Sequence, residues 1–208
     1  MFTTSSSLHL IYLHGWEEHP TDSPVAAALR AELPNAKIHY MGYHPGGDVR
    51  ATRVTAALQQ LGALVDDPKL PPRVRLMGYS FGGLVAALFA AQRPERIAKV
   101  LLLAPAIDNI ARNYPGEAST WRMPADYVAD LRGYPARPKV VCPTTLVYGD
   151  LENDREGSAP TRYREWARAE PFERVVELPG VDHELAPLLQ GETTPTFAEL
   201  IADLMAVT

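Results

Sequence analysis

The amino-acid sequence predicts an α/β domain, with a mostly parallel sheet covered by helices on both faces. Two observations carry this. Short apolar runs of strand length alternate with helix-like segments almost throughout the chain, the pattern of strands joined by right-handed crossovers. The runs are continuously apolar, as in Leu10-Ile11-Tyr12-Leu13, which suits strands buried on both faces. The 208 residues fit a single domain, 1–208.

The elements follow in order. Leu8 to Leu13 reads as the first strand, ending at His14-Gly15. A helix follows from Pro24 to Leu33, with Ser23 placed to cap it and Pro24 suited to its first turn. Lys37 to Met41 gives a second strand. After the loop His44-Pro45-Gly46-Gly47, Asp48 is placed to cap a long helix running to about Val65. Asp66-Asp67-Pro68 stops it, and Val74 to Tyr79 is the third strand. Gly82 to Gln92 is a helix apolar on nearly every face, which implies burial. Arg96 to Leu103, Thr144 to Tyr148 and Arg174 to Leu178 complete six strands, with helices at Pro160–Ala169 and Thr196–Ala206. Between the fourth and fifth strands, 107–143 forms an irregular insertion of lid size, with one helix from Pro124 to Leu131.

Composition narrows the function classes. Apolar residues make up 46% and charged residues 22%, an ordinary globular balance. A net charge of −5 is not the basic footprint of a nucleic-acid binder. The one cysteine, Cys142, leaves no disulfide framework or multi-cysteine metal site, and beside Pro143 it reads as packing. The start, Met1-Phe2-Thr3-Thr4, lacks the Lys or Arg of a signal peptide. The expectation is therefore a cytoplasmic protein with no membrane span. The spacings His14-x4-His19 and His39-x4-His44 do not fall on a helix, so no metal site is expected.

The sharpest signal is Gly78-Tyr79-Ser80-Phe81-Gly82, followed by Gly83. From composition alone, a Gly-x-Ser-x-Gly match is expected roughly 0.03 times in a chain of this length. It also falls between an apolar strand and a helix, where a nucleophile elbow must lie. The flanking glycines let strand and helix approach closely, and the helix N-terminus favours developing negative charge.

On these residues the chain resembles the α/β-hydrolase family, from about Leu8 to the end. The resemblance implies the α/β-hydrolase fold, a serine nucleophile at Ser80, a later acid and a final histidine, each at a strand's C-terminal end. The histidine it points to is His183, in the loop between the sixth strand and the last helix. The acid belongs in Gly149-Asp150-Leu151-Glu152-Asn153-Asp154, with Asp154 favoured and Asp150 and Glu152 as alternatives. The unused carboxylates are expected to be solvated or to bond the turn. The oxyanion hole is assigned to the backbone N–H groups of Phe81, after the nucleophile, and Trp16, in the loop after the first strand.

Trp16, Tyr79, Phe81, Tyr114 and Trp121 are candidates to line a pocket, or else to pack the core. Arg162, Arg164 and Arg168, interspersed with Glu165 and Glu170, read as a solvated helix face. The resulting expectation is a cofactor-free serine hydrolase cleaving a small carboxylic ester or thioester through an acyl-enzyme. The alternatives are a noncatalytic binding module on the same fold, or amide or C–C bond hydrolysis.

Overall fold

The structure is a computed structural model, and it describes residues 9–107, 124–152 and 159–206. Six strands form one sheet: β1 (His9–Leu13), β2 (Lys37–Met41), β3 (Val74–Tyr79), β4 (Ile97–Leu103), β5 (Thr144–Gly149) and β6 (Arg174–Leu178). Their order is β2-β1-β3-β4-β5-β6 and every pairing is parallel. Across the centre, Tyr12 is in register with Met77, and Met77 with Leu101. The chain leaves β1 for one edge, then crosses back to β3 and builds the other side. The C-terminal ends of β1 and β3 therefore flank a switch point, where open α/β sheets bind ligands.

Strand side chains alternate between two cores. Ile11, Leu13, Leu76, Val100 and Leu146 face a layer made by α2 (Val54–Val65), α3 (Phe81–Gln92), α4 (Ala125–Leu131) and α5 (Ala159–Ala169). Leu10, Tyr12, Met77, Leu101 and Val147 face α1 (Pro24–Glu32), the short α6 (Ala186–Leu189) and α7 (Phe197–Met205). Helix α3 lies against the middle of the sheet and is buried from Phe81 to Ala90, as its uniform apolarity requires. Cys142 is buried in the first core.

Local chemistry fixes the helix ends. Ser23 Oγ accepts the Ala26 N–H at 3.1 Å and Pro24 opens α1. Thr196 and Glu199 cap α7 reciprocally, each side chain accepting the other's backbone N–H. The sequence expectation of one helix from Asp48 to Val65 does not hold. Asp48 caps only a 3-10 turn, Val49–Ala51, by accepting the Arg50 N–H. Thr52 is then extended and its hydroxyl is bonded to His44 Nδ1, so α2 restarts at Val54. The described end of the 107–143 insertion docks on that start. Asp130 Oδ2 accepts the Thr55 N–H at 3.1 Å, and Asp126 pairs with Arg53.

At the opposite end of the sheet, buried Lys99 is held by Glu173 at 2.9 Å and Asp203 at 3.0 Å. Arg164 pairs with Glu177, and Arg137 with Glu165, so part of the arginine-rich helix face is ion-paired.

Candidate active site

The turn from β3 into α3 holds Ser80 at φ 52°, ψ −116°, a strained backbone for a residue with a Cβ. Neighbouring chain segments over-determine it. The Ser80 N–H donates to Leu103 O at 2.9 Å, and Ser80 O accepts from Ala106 at 2.9 Å and Leu84 at 3.1 Å. The Gly82 N–H donates to His14 O at 3.0 Å. A Cβ on Gly82 would lie 2.2 Å from Leu13 O, and one on Gly78 would lie 2.4 Å from Gly82 O. Both glycines are thus required by backbone contact, and the serine is lifted to the strand ends.

There Ser80 Oγ meets His183 Nε2 at 3.0 Å, across 103 residues of sequence. His183 comes from the loop after β6, which is locked to the loop after β5. Gly149 allows the approach, since a Cβ there would sit 1.9 Å from Val181 O. The Asp150 N–H donates to Leu178 O and the Leu151 N–H to Val181 O. Asp150 Oδ1 accepts the Gly180 N–H at 2.7 Å. That carboxylate therefore bonds the turn.

Among the described residues, the carboxylate facing the other ring nitrogen is Glu152. Its Oε1 lies 3.4 Å from His183 Nδ1, and its side chain is only 4% exposed. Asp154, the favoured sequence candidate, lies outside the described residues, as do Tyr114 and Trp121. Burial opposes charge on His183. The Glu152 hydrogen bond and the carboxylates of Glu152, Glu184 and Asp182 outweigh it and raise its pKa above the usual imidazole value.

The Trp16 N–H and Phe81 N–H take no acceptor among the described residues. They lie on the two segments that Gly82 joins. Trp16 also packs edge-on against Phe81 (5.1 Å), Tyr127 (4.4 Å) and His44 (6.2 Å). Of the aromatic candidates, Phe81 is buried in this cluster, while Tyr79 lies beneath the histidine loop. The Tyr79 hydroxyl donates to His183 O at 3.1 Å.

The sequence reading gave no site role to Tyr43 or Tyr127 and read His44 as a loop residue. Tyr43 donates to His14 O and stacks on the His14 ring at 4.3 Å. It also passed over Glu18, which accepts the Gly15 N–H; the Gly15-x-x-Glu18 spacing was the signal available for it. His19 bonds Thr21, and His39 bonds His9 at 3.0 Å, so neither spaced histidine pair forms a site of its own. Among the described residues no three His, Cys, Asp or Glu side chains gather as metal ligands. No helix among them is long and apolar enough to cross a membrane.

The geometry allows a hydroxyl to pass its proton to an imidazole. A family model described as the alpha/beta hydrolase fold matches residues 53–140. The chain is 32% identical over 103 residues to lipase LipV of Mycobacterium tuberculosis, covering 50% of this chain and 39% of the lipase. It is also 32% identical over 103 residues to a pimeloyl-[acyl-carrier protein] methyl ester esterase of Nitrosomonas europaea, covering 49% of this chain and 39% of that enzyme. The chain thus spans well under half the length of these relatives. Among solved structures, Est1E from Butyrivibrio proteoclasticus with bound ferulic acid aligns with a TM-score of 0.76 at 21% identity, over 96% of this chain and 90% of Est1E. Mouse alpha/beta hydrolase domain-containing protein 10 aligns with a TM-score of 0.71 at 16% identity, over 98% and 92%. With a family model matching its centre and solved structures aligning over nearly its whole length, this chain has the α/β-hydrolase fold.

Proposed function

We propose that the chain is a serine hydrolase of carboxylic esters or thioesters, with Ser80 as nucleophile, His183 as general base and acid, and Glu152 as the orienting carboxylate. The observation that carries this reading is the 3.0 Å contact between Ser80 Oγ and His183 Nε2, with a buried carboxylate on the far side of the ring. Its relatives include an esterase and a lipase, which supports ester chemistry. Glu152 takes the role that the sequence assigned first to Asp154, because among the described residues it is the carboxylate that faces Nδ1.

In this mechanism His183 carries its proton on Nδ1, towards Glu152, and leaves Nε2 free to accept. Ser80 Oγ attacks the carbonyl carbon as its proton passes to Nε2. The carbonyl π pair moves onto oxygen, where the Trp16 and Phe81 N–H groups and the α3 N-terminus stabilise it. The tetrahedral intermediate expels the alkoxide or thiolate, which takes the proton from Nε2 and departs as alcohol or thiol. Water then repeats the sequence on the acyl-enzyme, giving its proton to His183 and releasing the acid and free Ser80. Glu152 accepts the Nδ1–H throughout and stabilises the transient imidazolium.

A fluorophosphonate probe tests the reading. Wild type is expected to label covalently and Ser80→Ala to remain unlabelled, with turnover of p-nitrophenyl esters lost in parallel. Well-folded wild-type protein that neither labels nor turns over would establish a noncatalytic binding module instead.

A further inference from the structure

We infer that Glu18 is a positioning residue for the oxyanion donor at Trp16: its carboxylate accepts the Gly15 N–H and closes the turn that aims the Trp16 N–H. This rests on the serine-hydrolase reading above and extends it to a residue outside the reacting set.

The turn runs from Gly15 to Glu18, with Trp16 and Glu17 at its centre. Its backbone closure, Glu18 N–H to Gly15 O, is long at 3.4 Å, near the limit of a useful hydrogen bond. The side chain supplies a better one in the opposite sense, Gly15 N–H to Glu18 Oε2 at 2.8 Å. The two bonds are reciprocal, as in a capping box, and the charge-assisted one is the stronger.

The fit around the turn is tight. A Cβ on Gly15 would lie 3.1 Å from both Glu18 Oε2 and the Tyr79 ring. The Tyr12 phenol interacts with the same carboxylate and also reaches Ser23 Oγ at 3.3 Å. Ser23 in turn caps α1. Glu18 therefore sets the turn carrying Trp16 beside Tyr12 of β1. On the other side, His14 O of the same loop accepts from Gly82 in the elbow. An oxyanion donor acts through preorganisation, because it must already point where charge develops. Without the Glu18 bond, the turn keeps only its long backbone closure.

Glu18 also lies within electrostatic reach of His183 and Glu184, so its charge is the rival explanation for any effect of its removal. Reach and charge separate cleanly. Glutamine keeps both the length and an acceptor oxygen but loses the charge. Aspartate keeps the charge but is one methylene short of the Gly15 N–H.

The test is steady-state hydrolysis of p-nitrophenyl acetate by wild type, Glu18→Gln, Glu18→Asp, Glu18→Ala and Ser80→Ala. Glu18→Asp and Glu18→Ala are expected to lose about 10- to 100-fold in kcat with KM within about twofold, part of the loss seen when an oxyanion donor is removed outright. Glu18→Gln is expected to stay within about threefold of wild type. If the alanine variant does not fold, the aspartate and glutamine pair carries the test. Full activity in Glu18→Asp, or a loss in Glu18→Gln as deep as in Glu18→Asp, overturns the proposal. If Ser80→Ala is inactive while Glu18→Asp is normal, the Glu18 role alone falls. If Ser80→Ala keeps wild-type turnover, the hydrolase reading falls and the positioning role with it.

Discussion

Replacing Glu152 by glutamine removes one charge from the far side of the His183 ring with almost no change in shape. The cost follows from the geometry. At 3.4 Å and an effective dielectric near 20, a carboxylate and an imidazolium attract by about 5 kcal/mol. The His183 side chain is 42% exposed, and water screens part of that attraction, leaving roughly 3–4 kcal/mol. The attraction is realised only when His183 holds the serine proton, so it belongs to the transition state and should appear in kcat rather than KM. Each 1.36 kcal/mol is tenfold in rate, which gives a loss of roughly 10²- to 10³-fold. The assay compares Glu152→Gln, Asp150→Asn and Asp154→Asn in kcat on p-nitrophenyl acetate, with thermal unfolding checked for each. Asp150→Asn should remain within about fivefold, because Oδ1 still accepts the Gly180 N–H. If Glu152→Gln turns over at near wild-type rate while Asp154→Asn collapses, the Glu152 assignment is wrong.

Four further sites give expected outcomes. Because the folded pKa of His183 is raised, kcat/KM should fall with an acid limb centred above 6.5, and Glu152→Gln should move that midpoint down. The same shift stabilises the fold fully below pH 6.5 and ceases to do so as pH rises through the folded pKa, which urea unfolding from pH 6 to 9 would register. His14 behaves oppositely: burial lowers its pKa to about 4, so its contribution is present above 6.5 and lost on acidification towards 4. Urea unfolding across that window should lose up to about 1.4 kcal/mol per pH unit from this group, and His14→Asn, which keeps a donor for Gly15 O, should flatten the slope by one proton. Gly149→Ala should cost about 3 kcal/mol or more and abolish labelling of Ser80, since its Cβ would strike Val181 O. Gly62→Ala, which meets only the Phe89 ring at 3.8 Å within α2, should instead stabilise by about 0.5–1 kcal/mol.

What could be read from the sequence depended on whether the signal was local. The four inner strands were legible because a strand buried on both faces must be apolar along nearly its whole length, as Leu10–Leu13 is; β2 and β6 are edge strands, only partly buried and mixed in sequence. The elbow was legible because Gly78, Gly82 and Gly83 sit where backbone meets backbone, and no other residue type fits. His183 followed from its place after the sixth strand. The carboxylates were harder to separate because three crowd a five-residue run. Glu152 is set against the His183 ring across the Gly149–Val181 contact, and those two residues are 32 positions apart, while Asp154 lies outside the described residues. The helix expected from Asp48 failed for a similar reason. The cap was real but served a single turn, and the partners that keep Thr52 extended and dock the insertion on Thr55 come from His44 and Asp130. Tyr79 was visible as an aromatic at a strand end, while its use, holding the histidine loop by its carbonyl, depends on a partner 104 residues away.

The contacts that close the sheet at its C-terminal edge are also the ones that bring the reacting groups together. Gly82 lets the elbow touch the loop after β1, and the same hydrogen bond to His14 O sets Trp16 relative to Ser80. Gly149 lets the loop after β5 touch the loop after β6, and the same contact sets Glu152 relative to His183. The positive φ of Ser80 costs of order 1–3 kcal/mol, and the hydrogen bonds from Ser80 to β4 and the loop beyond it hold that conformation in place. Two pairs of loops, each joined through a glycine, therefore bring the His183 ring to the Ser80 hydroxyl and set the Trp16 loop beside the elbow. In such an arrangement rigidity and proposed activity share a cause. A substitution that loosens either glycine contact should lower both together, whereas changes confined to the Lys99 cluster at the opposite end of the sheet should alter stability and leave Ser80 reactivity unchanged.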